Sequence, residues 1–516
     1  MAQRETSPAT HGVSQPSRGR VLTSFLLIIL LFDIGLLFFD LSSPFDGFHG
    51  FQEAWYAAIG KNYSSHSLLM PTTYDGSLDL NVPPLLSHII LLSFSLLGPT
   101  EFAARLVPVF FAFLSLFGVY LLATSLLRRR TGLEAAVLFA STPIFLILGR
   151  SVQTDIVYVS LSLFSVYFYI RSRGSGKRLH AMLAGLFMGA ALFSKQFAVL
   201  PLIAIVLWEL LGKERYRLVK LNFALFAVVS LIILVPFYGY HLVHDPGYLL
   251  EAQLHGSASK ASIASPGDLV FLVSEMVWGC SPLFFMGTLA GVALMLVKLN
   301  ESKKLVGVVI ACYFVFYLFL HRHTYYFFGI VPFLCLGFTE LSERLPKKAY
   351  GAVLIATLVT ATSLSAYQLA GCKYGRGEFK EVGEYLKRYE RPVVVGDESI
   401  YHNYRPLFTY YAENATLLLR DAERSPAQQE ALRETDGVFF FSEVPLGGTR
   451  PEIFPVRGVR YGIRFAGNVY IHVPPNLHFF TPTFPTELKG YTILAACGPV
   501  VKLEQISFYL VAEPIH

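Results

Sequence analysis

The chain is built from a series of apolar runs, near 21–40, 104–127, 133–149, 156–170, 179–194, 197–211, 219–240, 276–297, 305–320, 326–341 and 350–370. Eleven such runs, each sized for the roughly 30 Å hydrocarbon layer of a bilayer, leave one solution for the backbone. In lipid every N–H and C=O must be satisfied internally, so the runs are expected to be helices. Composition agrees, because only 15% of residues are charged and 53% are hydrophobic, far from a soluble domain with about a quarter charged. The expected class is a mainly α-helical polytopic membrane protein. A net charge of +6 does not point to nucleic acid, because Lys and Arg gather in short clusters between apolar runs, where charge encodes topology.

Those clusters fix the count and orientation. The segment "PPLLSHIILLSFSLLG", 83–98, is short, headed by Pro-Pro and interrupted by His88, and reads as an interfacial helix. With that segment not crossing, "RRR" (128–130), "RSRGSGKR" (171–178), "KERYRLVK" (213–220), "KLNESKK" (298–304) and "RLPKK" (344–348) all fall on one side with the N-terminus. Positive charge in short loops marks the cytoplasmic face, and one more span would turn all five outward. The expected organisation is a cytoplasmic tail, 1–20, a transmembrane domain, 21–371, with a first outer loop 41–103, and an extracytoplasmic domain, 372–516. The apolar stretch after the tail is too long for a signal-peptide core and lacks an A-x-A site, so it is read as a retained first helix. In the last part "RPVVVGD", "ATLLLRD", "GVFFFSE", "YGIRF" and "NVYIHV" alternate with helical patterns, which suggests a small α/β domain, with a hairpin signal at Gly467-Asn468. Cys280, Cys312 and Cys335 lie in apolar runs, and only Cys372 and Cys497 are placed to pair.

Charge near membrane depth costs roughly 2.5–3.5 kcal/mol per residue on insertion scales, so charges on the outer side need a reason. Glu53, Asp155, Arg150, Lys195 and His323 fall there, and the stretch "FDGFHGFQEAWYAAIGKNY", 45–63, adds Asp46. Carboxylates suit proton abstraction and cations suit an anionic phosphate. The plain reading of each alone is a helix-end charge or interfacial anchor, and a helix cap for Asp155; an aromatic belt explains Tyr325 and Tyr326. His241, His244, Asp245, Glu251 and His255 have ligand chemistry, but their spacing matches no metal site, so no metal ligands are assigned and a divalent cation stays open as a cofactor.

In order, "QEAWYAAIGKNY", "NVPPLLSHIILLSFSLLGPTEFAARL", "LGRSVQTD", "ALFSKQFAVLPL" and "HRHTYYFFGIVPFL" resemble the polyprenyl-phosphate-sugar-dependent membrane glycosyltransferases. These include protein O-mannosyltransferases and lipid A aminoarabinose transferases. The resemblance covers roughly residues 20–345. It implies a GT-C fold in the cell membrane and an inverting transfer of a sugar from a dolichyl- or undecaprenyl-phosphate carrier. The acceptor would be a protein, lipid or glycan on the non-cytoplasmic face. The family's acidic pair in the first outer loop reads Gln52-Glu53 here, which leaves Glu53 as principal base with Asp46 nearby. The family's Lys before Pro-Pro is Val82 here, so Arg150 and Lys195 are the expected contacts of the donor phosphate. Asp155 matches the acidic residue of the second outer turn, and His323, Tyr325 and Tyr326 match a basic-x-Tyr-Tyr segment at the carrier-lipid mouth.

Displacement at an anomeric carbon by this route needs one base for the acceptor hydroxyl and cations for the departing phosphate. Glycoside hydrolysis would need two carboxylates across the sugar. A polytopic transporter or lipid flippase with an outer binding domain is the alternative, but such proteins show inverted repeats and midplane charges. Here the charges gather at one face.

Overall fold

The structure, a computed structural model, describes residues 18–371 except 46–50, 64–67, 74–77, 82, 128–130, 212–216, 259–263, 298–299 and 320–323. Beyond these it describes parts of 380–442 and strands within 454–515. Asp46, His323, Cys372 and Cys497 lie outside the described residues.

Each apolar run lies on a helix or a helix pair. They are α1 (Arg18–Leu37), α4 (Glu101–Leu126), α5 with α6 (Thr131–Ala140, Pro143–Arg150), α7 (Thr154–Ser175), α8 (Arg178–Leu192) and α9 (Val199–Leu211). There follow α10 with α11 (Arg217–Leu234, Tyr240–His244), α13 with α14 (Pro266–Cys280, Pro282–Val297), α15 (Glu301–Tyr317), α16 (Val331–Thr339) and α17 (Lys347–Gly371). Among the described residues four helical stretches suffice by length and composition to cross a membrane, or six if the two bent pairs count as spans. The bends follow from proline. Pro143 and Pro282 open the second member of each pair, where a missing N–H and ring clash stop the preceding helix. The pairs are bent by 70° and 107°. The apolar run at 276–297 is therefore no straight span, and the segment between the runs ending at 240 and beginning at 276 carries α12 (Pro246–Ala258) and most of α13.

Between α8 and α10 the helices approach at Gly185 and Gly189, a small-xxx-small pair of the kind that lets membrane helices close up. A β-carbon at Gly185 would lie 2.5 Å from the Phe226 carbonyl oxygen, and one at Gly189 2.7 Å from that of Ser230. The segment 51–62 forms α2 (Phe51–Asn62), which packs on α3 (Leu85–Leu97). Helix α3 is too short to span, as its Pro-Pro head and His88 suggest.

Beyond residue 372 the backbone forms a sheet of β1 (Pro392–Gly396), β2 (Thr416–Leu419), β3 (Gly437–Ser442), β4 (Phe454–Val456), β5 (Val459–Val473), β6 (Ile493–Leu494) and β7 (Val501–Ile515). The order is β2-β1-β3-β7-β5-β4, with β1 parallel to β2 and β3 and the remainder antiparallel. Gly467-Asn468 is not a hairpin turn. Strand β5 runs through it beside β7, with a register shift between Phe465 and Gly467, as Gly in a strand often marks a bulge.

Candidate active site

Glu53 sits in the first turn of α2 and is 1% exposed. Arg105, on α4, donates to both of its oxygens, Nε to Oε1 at 3.1 Å and Nη2 to Oε2 at 2.8 Å. The Val152 amide adds a third bond, to Oε1 at 2.8 Å. The same guanidinium donates to the carbonyls of Leu41, Ser43 and Pro44, and lies 5.2 Å from the centre of the Phe45 ring. A bidentate charge-assisted pair is among the stronger polar contacts available. This one ties the end of the first apolar run, α2, α4 and the 150–155 turn together. Glu53 is thus engaged on both oxygens rather than turned freely toward a substrate. Arg105 stands in "GPTEFAARL", where one Arg in an apolar run looks like any helix-end cation, so sequence reading missed it.

A second buried pair brings together two predicted residues. Lys195 Nζ donates to Asp155 Oδ1 at 2.8 Å and Oδ2 at 2.7 Å, with side chains 12% and 0% exposed. Asp155 is in the first turn of α7 and Lys195 follows the end of α8, so the tight packing of these helices sets their distance. Aromatic rings enclose the ammonium: Tyr326 at 4.7 Å, Phe197 at 5.0 Å, Tyr325 at 5.7 Å and Tyr158 at 5.9 Å. Ring faces attract a desolvated cation. Tyr325 and Tyr326 are packed side by side, with centres 4.9 Å apart; they face the cation rather than a lipid belt. Tyr56 is turned inward toward Thr154 and Asp155, and burial holds its hydroxyl pKa well above the usual phenol range. It is a neutral hydrogen-bonding group there.

Asp79, in "SLDLNVPP", is a further carboxylate that sequence reading missed. It is 4% exposed, accepts from Trp55 Nε1 at 2.7 Å and from the Asn81 amide at 2.9 Å, and so fastens the 68–81 loop over α2. Its signal was only a polar residue near Pro-Pro. The loop has two histidine tethers. His88 Nε2 meets the Leu68 carbonyl at 2.8 Å, and His241 Nε2 meets that of Leu69 at 2.7 Å. His241 therefore serves the loop. Among the described residues no three His, Cys, Asp or Glu side chains gather to hold a metal.

Arg150 ends α6, is 7% exposed, and donates to the Phe39 carbonyl. It opens the turn that also carries Val152 and Asp155. The C-terminal domain docks beside the Glu53 pair. Tyr411 accepts from the Phe45 amide at 2.7 Å and donates to Glu101 at 3.1 Å, Tyr410 donates to the Pro99 carbonyl at 3.0 Å, and Lys380 pairs with Glu101 at 2.9 Å.

The described residues combine apolar, partly broken helices, helical connecting segments, a buried acid–cation pair at their ends and a sheet-containing C-terminal domain, and the likeness to the structures that follow shows that the fold is GT-C. A family model described as dolichyl-phosphate-mannose-protein mannosyltransferase matches residues 81–240. The fold is similar to that of ArnT from Cupriavidus metallidurans, with TM-score 0.65 and 15% identity over 82% of this chain and 93% of that one. ArnT bound to undecaprenyl phosphate gives the same TM-score, 0.65, at 14% identity, covering 83% of this chain and 93% of that one. The archaeal oligosaccharyltransferase AglB from Archaeoglobus fulgidus, solved with an inhibitory peptide and a dolichol-phosphate, gives TM-score 0.59 and 12% identity over 82% and 69%. No curated protein sequence matches the chain. The resemblance read from five motifs thus meets a matching family model and a matching fold.

Proposed function

We propose that the chain is an inverting glycosyltransferase that moves a sugar from a polyprenyl-phosphate carrier to a protein, lipid or glycan acceptor on the non-cytoplasmic face. The observation that carries the reading is the buried Asp155–Lys195 pair within its tyrosine enclosure. A carboxylate and an ammonium at 2.7 Å neutralise each other until a stronger anion arrives. The carrier phosphate competes for Lys195, and each cation contact it gains frees Asp155 to accept a proton. The acceptor oxygen then attacks the anomeric carbon as its O–H proton passes to Asp155. The bond from that carbon to the phosphate oxygen breaks, and the phosphate leaves with the electron pair beside Lys195. One displacement inverts the centre. Preorganised charge of this kind is usually the largest single contribution to such a step.

Glu53 takes the supporting role in this scheme, because Arg105 and the Val152 amide occupy its oxygens. Asp46 remains the alternative base. Arg150, His323 and the Tyr325–Tyr326 pair are assigned to the carrier phosphate and its lipid mouth, and a divalent cation remains open as a partner of the phosphate. The similar structures solved with undecaprenyl phosphate and with a dolichol-phosphate support a lipid-linked donor.

The test is release of labelled sugar from a polyprenyl-phosphate donor by the purified protein. Turnover that falls in Asp155→Asn and Lys195→Met supports the assignment. Movement of intact donor across a vesicle without cleavage would support the flippase alternative and overturn this one.

A further inference from the structure

One buried carboxylate has no part in this chemistry. Asp33 lies in α1, four residues before its end at Leu37, and is 1% exposed. A buried Asp inside an apolar helix of a membrane protein is costly and is a functional candidate by default. Its two oxygens are divided between two other helical units. Ser141, in the break between α5 and α6, donates to Oδ2 at 2.7 Å, and Thr362 of α17 donates to Oδ1 at 3.1 Å. Ser365, one turn further along α17, donates to the Ser141 carbonyl at 2.8 Å. Ser141 is thereby held from both sides, by its hydroxyl and by its carbonyl. It stands at the pivot of the 70° bend made by Pro143.

What leaves that pivot is the site. Helix α6 runs from Pro143 to Arg150, and the Val152 amide that bonds Glu53 and the Asp155 that pairs with Lys195 follow directly. A change of bend angle at residue 141 would swing the whole 150–155 turn, because the intervening helix is rigid. We infer that Asp33 is a positioning residue: through Ser141 it fixes the bend between α5 and α6, and so the placement of the turn that carries Arg150, Val152 and Asp155. Thr362 carries a separate function, which is to hold α17 against α1. The two oxygens therefore separate in their consequences. Loss of the Ser141 bond should loosen the turn, and loss of the Thr362 bond should not.

Hydrogen exchange of the purified full chain in lipid nanodiscs tests this. In Asp33→Leu and in Ser141→Ala, amides of 144–152 should exchange about tenfold faster or more, by loss of about one charge-assisted bond's stabilisation. Thr362→Val should leave that segment within about twofold of the parent. Asp33→Asn should restore most of the protection lost in Asp33→Leu, because an amide can accept from one hydroxyl and donate to the other. An unchanged rate for 144–152 in Ser141→Ala overturns the inference, as does an equal acceleration in Thr362→Val. Should Asp33→Leu fail to fold, the two hydroxyl variants still decide it. A turnover arm rests on the transferase reading: in Ser141→Ala kcat should fall and donor KM should rise, because the loosened turn carries both Asp155 and Arg150, whereas Thr362→Val should change neither. A parent with no turnover counts against that reading alone and leaves the exchange rates to judge this one.

Discussion

Replacing Glu53 with Gln separates two roles that carboxylate can have. The substituted amide would keep an oxygen for Val152 or Arg105 but would lose one leg of the bidentate pair and its charge. The guanidinium, 4% exposed, would then be buried without its counter-ion, though still bonded to three carbonyls. A hydrogen bond to a charged group is worth about 1.5–3 kcal/mol, and breaking a buried pair outright about 3–5 kcal/mol. The retained carbonyl contacts favour the lower range, so Glu53→Gln should lower stability by about 2–3 kcal/mol. Arg105→Gln should cost more, about 3–5 kcal/mol, because it also strips Leu41, Ser43 and Pro44 of their donor. The double variant should cost less than the sum by at least about 1.5 kcal/mol, since contacting groups couple. Denaturant unfolding of the four proteins, with sugar release measured on each, completes the cycle. A Glu53→Gln protein that melts like the parent but turns over about a hundred- to ten-thousand-fold more slowly would refute the clamp and make Glu53 the base. Additive stabilities would refute the clamp as well.

Lys195→Met should weaken binding of the carrier phosphate by about 10- to 150-fold, the equivalent of about 1.5–3 kcal/mol, in a lipid-binding titration; unchanged binding would remove Lys195 from the donor site. Asp155→Asn should slow transfer by about a hundred- to ten-thousand-fold while carrier binding holds or tightens, because the competitor for Lys195 has lost its charge. Tyr411→Phe removes the acceptor for Phe45 and the donor to Glu101, and should expose the junction after residue 371 to limited proteolysis, with about 1–3 kcal/mol lost from docking. Burial holds the His88 pKa below its ordinary 6.5. The stability tied to neutral His88 is then complete above that value and is lost as pH falls through it toward the lower folded value. Protease protection of the 68–81 loop should decline below about pH 6.5 in the parent, and His88→Gln should flatten that dependence.

The sequence alone determined the membrane class and where the apolar helices lie, because the bilayer's thickness and its intolerance of unpaired backbone act on local runs of apolar residues, but it did not show the helices of 246–275 or the bends within two of the runs. It also supplied the residue types of the site, since a charge beside hydrocarbon is conspicuous. Asp155 and Lys195 were both marked in this way. What it did not contain was who pairs with whom. Lipid is as apolar as Leu, so a helix face turned to lipid and one turned to protein carry the same hydrophobic signal, and the rotation of each helix stays hidden. Only packing shows that Glu53 meets Arg105, 52 positions away, and that Lys195 meets Asp155, 40 positions away. The same rotation turned Tyr56 toward Thr154 and Asp155 and put Asp33 opposite the bend at Ser141. The Lys195–Asp155 pairing depends on how α8 packs against α7, and the placement of Asp33 opposite Ser141 on where Pro143 bends the α5–α6 pair. Both are steric properties of helices in contact, which no single segment possesses.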